Sequence, residues 1–201
     1  MTFILTGKKE FRDIKNIIEL WDSAACNAVR VAGQKLMSSS KKLGGSFKDA
    51  WDKAAGIKLF EAGKIHITNF TLRSMAEGVS KFQSETNRTA MERLVILFAI
   101  NHMLKNIGSF IEADIVSGKT IQLAREVQED LLEEIRPDMI SWVESFGYTD
   151  FSLASAIGER ESDPYQRLYS QAKEYGIVNF ADRERIVKET IFPLRSSAPK
   201  L

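Results

Sequence analysis

Apolar residues recur at steps of three and four along most of the chain. From about Phe11 to Ser38 the stripe is Phe11, Ile14, Ile17, Ile18, Trp21, Ala24, Ala25, Ala28, Val29, Ala32 and Leu36. This period predicts an amphipathic helix. The run Ser38 to Ser46 breaks it: Gly44-Gly45 suits a turn, and Ser46 is a candidate N-cap with Asp49 in the first turn. A second helix is predicted from about Phe47 to Phe82, on a stripe that includes Phe47, Trp51, Ala55, Leu59, Ala62, Ile65, Leu72 and Val79. Its small residues Ala54, Ala55, Gly56, Ala62 and Gly63 imply close approach of a neighbouring helix.

Ser84 to Asn87 is a polar break, and Thr89-Ala90-Met91-Glu92 fits a capping box. The third helix, predicted to about Val116, is apolar on several faces and so is expected at the centre. Ser117-Gly118 ends it. The fourth, from about Thr120 to Ser145, has Ile121, Ala124, Val127, Leu131 and Ile135 on one face. Glu126, Glu129, Asp130, Glu133 and Glu134 read as its solvated face, and Pro137 as a kink or restart. After Gly147 the pattern shortens, with helices predicted at about Pro164 to Tyr175 and Asp182 to Thr190. No period-two run of any length occurs. The fold class is all-α: an antiparallel helical bundle of four long helices plus short C-terminal helices.

Composition narrows the function classes. The chain has 201 residues, a net charge of +1 and a single cysteine, Cys26. The charge gives no electrostatic case for nucleic acid or an anionic membrane as partner. One cysteine forms no internal disulfide. Amid Ala24, Ala25 and Ala28, Cys26 reads as a small core hydrophobe. The start MTFILTGKKE is too short an apolar run for a signal peptide. The longest apolar run, Leu94 to Ile100, falls far short of the ~20 residues that span a bilayer.

Candidate chemistry is sparse. Gly118-Lys119-Thr120 imitates the end of a phosphate loop, but Ala113 stands where the loop needs glycine, and a turn between helices is expected. His66 and His102 lack metal-ligand spacing and read as packed or partly exposed helix histidines. No nucleophile elbow or dinucleotide fingerprint occurs. The C-terminal tripeptide Pro199-Lys200-Leu201 is of the Ser-Lys-Leu type that peroxisomal import reads, with Pro in place of Ser.

The most specific stretch is Ile135 to Leu168. A helix end with Ile135, Arg136 and Asp138 is followed by an aromatic turn of Trp142, Phe146, Tyr148 and Phe151. The segment Leu153-x-Ser155-x-Ile157-Gly158, a charged loop, and Asp163, Tyr165 and Leu168 follow. In order and spacing this resembles the C-terminal helical domain of peroxisomal acyl-CoA oxidases. Leu59-Phe60-Glu61-Ala62 and Asn106-Ile107-Gly108-Ser109-Phe110 resemble two further segments of that family. Gly63 stands where the family commonly has histidine, and Ser109 where it often has aspartate.

The resemblance implies a fold, a location and a reaction for the full-length family. Such enzymes use FAD to desaturate acyl-CoA, reduce O₂ to H₂O₂ and release trans-2-enoyl-CoA in fatty-acid β-oxidation. Their catalytic glutamate and most flavin-binding residues lie upstream of this kind of domain. No Phe-Glu-Gly-type base segment or Gly-Gly-x-Gly-Tyr loop is present here, and Glu61 and Glu144 match family positions other than the base. No catalytic, cofactor-binding or metal residue is therefore carried over. The chain alone is expected to hold no FAD and to be inactive. Residues 1–194 are expected to form the oxidase-like helical domain, and residues 195–201 an exposed tail with the targeting tripeptide. Expected partners are a second copy, the remaining domains of an oxidase and the peroxisomal import receptor, in the peroxisomal matrix. The alternative is a stand-alone, non-catalytic module that self-associates or binds a full-length oxidase. A carrier of acyl chains is weaker, because no polar clamp for a head group is visible. The aromatics of the turn are expected to pack the terminal segment back onto the bundle.

Overall fold

The computed structural model describes residues 5–159 and 163–193. Among them every regular element is helical, as the all-α reading expects. The elements are α1 (Lys8–Phe11), α2 (Ile14–Lys42), α3 (Phe47–Ala50), a π-helical turn (Trp51–Ala55), α4 (Gly56–Ser80), α5 (Glu85–Lys105), α6 (Ile107–Glu112) and α7 (Gly118–Ile135). A 3₁₀ turn (Arg136–Asp138), α8 (Met139–Glu144), α9 (Asp150–Leu153), α10 (Pro164–Ile186) and a second π turn (Val187–Ile191) complete the order. The chain divides into two compact units, Met1–Met139 and Ile140–Leu201.

In the first unit α2 and α4 make the most extensive helix pair, and α5 packs on α2, α4 and α7. The core collects one face of each: Ile17, Leu20, Trp21 and Ala24 from α2, Ile65 and Leu72 from α4, Val95, Ile100 and Met103 from α5, and Ala124, Val127 and Leu131 from α7. Leu5 and Phe11 close one part of this cluster, and Phe110 of α6 enters it edge-on to Trp21, with centroids 4.9 Å apart at 85°. Edge-to-face contact suits the ring quadrupoles and adds about 0.5–1.5 kcal/mol beyond burial.

Several boundaries differ from the sequence expectation. The stretch 47–82 is not one helix. Ser46 does cap its start, accepting a hydrogen bond from Asp49 N. The turn Trp51–Ala55 then winds as a π helix, which shifts the phase of everything before it. Phe47 and Trp51 therefore lie exposed instead of joining the core stripe. Gly56 follows from the same turn: a Cβ there would sit 3.2 Å from the Trp51 carbonyl.

The expected capping box at Thr89 is absent. α5 starts at Glu85, and Ser84 accepts from Asn87 N as its N-cap. Asn106 divides the third predicted helix into α5 and α6. Ser117 opens α7 rather than closing its predecessor. It forms a capping box with Thr120, whose hydroxyl accepts from Ser117 N at 3.2 Å. The fourth predicted helix ends at Ile135, where Pro137 sits in the 3₁₀ turn before α8. In the second unit, α10 runs unbroken through the gap expected between Tyr175 and Asp182.

The acidic face of α7 is only partly solvated. Glu126 and Asp130 each lie 3.2 Å from Lys8 Nζ, and Glu134 lies 2.8 Å from Arg12 and 3.1 Å from Arg93. This ladder ties α1 and α5 to α7. Each pair is surface-exposed and contributes roughly 0–1 kcal/mol. The hydrogen bonds from Lys8 to Asp130 and Glu126 raise the lysine's pKa above 10.5.

Candidate functional site

The α2–α4 pair leaves a groove on its outer side. It is an open recess of about 430 Å³, lined by Asp22, Ala25, Cys26, Val29, His66, Asn69, Phe70 and Arg73. Cys26 is exposed here, which corrects its reading as a core hydrophobe. The alanines at 24 and 25 face the interior, and one residue further round the helix the surface turns to solvent. The fold thus brings Cys26 and His66 to one recess, which nothing in their sequence spacing shows.

Three polar side chains of that recess are engaged with each other, while Asn69 Oδ1 is buried without a hydrogen-bond partner. Asn69 Nδ2 donates to Asp22 Oδ1 at 2.9 Å, and the Arg73 guanidinium pairs with the same carboxylate, donating from Nε at 3.0 Å. The Asp22 hydrogen bond is the leading cause of the raised Arg73 pKa. Among the described residues no group of three or more His, Cys, Asp or Glu side chains could hold a metal ion. The Gly118-Lys119-Thr120 segment is the first turn of α7, where the Ser117 and Thr120 hydroxyls hydrogen-bond each other. The segment thus lies within a helix, just after the connection between α6 and α7 where a turn was expected.

His102 is half-buried on α5, with its ring 4.3 Å from that of Phe98. Burial, then the positive charges of Lys105 and Lys64, hold its pKa below 6.5. The folded state therefore resists a proton that the unfolded chain accepts. Stability from this group is present above pH 6.5 and is lost as pH falls through the folded pKa. His102→Gln is expected to flatten the pH dependence just below 6.5, read from urea midpoints at about pH 7.5 and about pH 6. The lowered carboxylates Glu10, Asp49 and Glu77 titrate further down, below 4.5 and 3.8, and leave that window to the histidine.

Of the stretch Ile135 to Leu168, the structure describes residues 135–159 and 163–168. Thr149 caps α9, accepting from Ser152 N. Ala154 ends it in the left-handed region at φ 47°. The chain then folds back so closely that a Cβ on Gly158 would meet Leu153 Cδ1 at 3.1 Å. Asp163 caps α10 by accepting from Tyr165 N and Gln166 N, with Pro164 at the first helical position. Arg167 pairs with Glu159 across the loop. Trp142 is half-buried, but the other three aromatics differ from the sequence expectation. Phe146, Tyr148 and Phe151 are 73%, 69% and 94% exposed, and Phe146 stacks on Tyr148. They form apolar surface rather than interior packing. Pro199, Lys200 and Leu201 lie outside the described residues, as does the remainder of the tail from residue 194.

The α2–α4 groove is open and its cation is taken by Asp22. A second recess, of about 480 Å³, lies beside Arg12 and Arg88. Those two cations are paired with Glu134 and Glu85. Lys9 and Lys15 also line the second recess, and both recesses are open to solvent.

What these observations define is an all-α domain with open apolar surfaces. The family model for acyl-CoA oxidase matches residues 13–195. Peroxisomal acyl-coenzyme A oxidase 2 of Rattus norvegicus is 31% identical over 156 residues, covering 77% of this chain and 23% of the relative. The Mus musculus protein of the same name is 31% identical over 166 residues, covering 82% of this chain and 24% of the relative. The crystal structure of acyl-CoA oxidase-1 of Caenorhabditis elegans, complexed with FAD and ATP, superposes with a TM-score of 0.77 at 24% identity. That superposition covers 92% of this chain and 28% of the other. The chain belongs to the acyl-CoA oxidase family. It spans about a quarter of the length of the curated relatives it matches.

Proposed function

We propose that this chain is the C-terminal helical domain of an acyl-CoA oxidase and acts structurally, by supporting the flavin-bearing part and by self-association. The observation that carries this reading is the family match over residues 13–195 in a chain covering only 23% and 24% of its relatives' lengths. The whole enzyme would oxidise acyl-CoA with O₂ to trans-2-enoyl-CoA and H₂O₂, FAD supplying the redox chemistry. This chain would contribute none of the catalytic groups and hold no FAD by itself. The peroxisomal matrix is the proposed location, supported by the names of the relatives and by the tripeptide Pro199-Lys200-Leu201.

The test is direct. After incubation with FAD and gel filtration, the purified chain is expected to carry no flavin absorbance. It is expected to produce no H₂O₂ with palmitoyl-CoA. Robust turnover by the isolated chain would overturn the reading.

A second reading is a stand-alone module that binds itself or a full-length oxidase. The exposed apolar residues of α4 and α8 favour it. Size exclusion with light scattering, with and without a full-length oxidase, tests both interaction roles: a well-folded monomer indifferent to the oxidase would count against each.

A further inference from the structure

α2 and α7 each pack on α1 more extensively than on each other. The segment that carries α1, residues 5–12, therefore fills the seam between those two long helices. It does so with two apolar plugs: Leu5 is 1% exposed, Phe11 is completely buried, and both belong to the core cluster. Beside the plugs the contacts are ionic. Lys8 meets Glu126 and Asp130 of α7, each at 3.2 Å, and Arg12 meets Asp130 at 3.6 Å and Glu134 at 2.8 Å. Backbone bonding in the segment is local, with Glu10 N, Arg12 N and Asp13 N reaching back only to the carbonyls of Gly7, Lys9 and Glu10. Gly7, at the start of α1, has no side chain to cap it. The Glu10 carboxylate turns back to Thr6 within the segment, and Asn16 Nδ2 of α2 donates to the Glu10 carbonyl at 3.2 Å. Ordering such a segment costs backbone entropy at every residue. Two buried side chains and a few exposed ion pairs, each of small worth, oppose that cost. An element held this way lies at the low end of the opening free energies within a domain.

We propose that residues 5–12 are a strap that opens as a unit while the core of α2, α4, α5 and α7 stays folded. Opening uncovers an apolar cleft between α2 and α7, rimmed by Glu126, Asp130 and Glu134. The chemistry of that cleft selects its occupant: a short basic segment with two apolar anchors, which is the strap itself. Salt screens the exposed ion pairs and leaves the plugs in place, so added salt favours the open form. The strap lies ahead of residue 13, where the family match begins. Its behaviour therefore does not depend on the structural role proposed above.

Hydrogen exchange on the full chain, followed by NMR at several low denaturant concentrations, tests this. Arg12 N and Asp13 N are expected to exchange at least about a hundredfold faster than Ile100 N and Met103 N of α5, and to share one dependence on denaturant. Raising salt to about 1 M is expected to speed the strap amides several-fold and to leave those of α5 unchanged. Lys8→Gln with Arg12→Gln removes the ladder from the strap side. It is expected to speed the strap amides about tenfold and to abolish their salt response. Both side chains are partly exposed, so far-UV circular dichroism should be unchanged. Leu5→Ala removes a plug and keeps the ladder, so the strap should open faster with its salt response intact. Strap amides that exchange in step with α5 would place the segment in the cooperative core and overturn the proposal. Strap amides with no common denaturant dependence would mean fraying residue by residue, and the opening unit fails. A salt response that survives Lys8→Gln with Arg12→Gln would overturn the ionic latch.

Discussion

Phe110→Ala is expected to cost about 3–5 kcal/mol, the range for removing a fully buried aromatic ring. Phe110 is completely buried on the six-residue helix α6, and its ring stands edge-on to Trp21 of α2. The substitution removes the ring's transfer free energy and the aromatic contact. It also leaves a cavity between two helices that cannot fully collapse. The Trp21 indole nitrogen is buried without a hydrogen-bond partner, so the indole is held there by packing alone. For a domain of this size about 2–4 °C of Tm is lost per kcal/mol, which makes the expected fall about 6–20 °C. Thermal unfolding followed by circular dichroism checks it. A fall under 3 °C would show that α6 is not part of the cooperative core.

The second large effect is the reverse operation. Ala24→Leu is expected to destabilise by about 1–3 kcal/mol through overpacking. Ala24 is completely buried in the cluster that α2 shares with α4, α5 and α7. Three added carbons have no cavity there, so α2 must shift or Trp21 must leave its rotamer. Urea unfolding should show a lower midpoint with an unchanged slope. Cys26→Leu is the control: Cys26 is exposed and lines the open groove, so the larger side chain can extend into it. A wild-type midpoint for Ala24→Leu would mean that the helix contact is loose.

These two sites also separate what the sequence reveals from what it hides. The small residues Ala54, Ala55, Gly56, Ala62 and Gly63 announced close helix approach: Ala55 and Ala62 are buried and α4 pairs most extensively with α2, whereas Ala54 and Gly63 face solvent. The cap at Ser46 was legible because a polar side chain before an apolar period has one local use, and the helix start at Pro164 because proline suits the first turn. The cap of α5 was misplaced, because Ser84 and Thr89 both fit the rule locally and only tertiary packing selects between them. The π turn at Trp51–Ala55 was invisible. It depends on which carbonyl each N–H reaches, and all registers share one sequence. That turn alone moves Phe47 and Trp51 from expected core to surface.

The candidate site divides the same way. The segment from Ile135 to Leu168 names the family because its constraints are local: the caps at Thr149 and Asp163, and the close fold at Gly158 over Leu153. The exposure of Phe146, Tyr148 and Phe151 was not legible, since hydrophobicity says that an aromatic side chain gains from burial and not what buries it. Cys26 was misread for a related reason. Its neighbours at 24 and 25 are interior, and a turn of 100° decides between core and solvent.

By itself, then, the sequence determined the all-α class, the helical stripes, several caps and the family, because each follows from residue period or local backbone chemistry. Tertiary structure alone decided where the long helices break, which faces meet, and which apolar side chains stay exposed. Those outcomes depend on contacts between residues far apart in the chain. A periodic pattern says that a face is apolar, but its partner is set by three-dimensional packing.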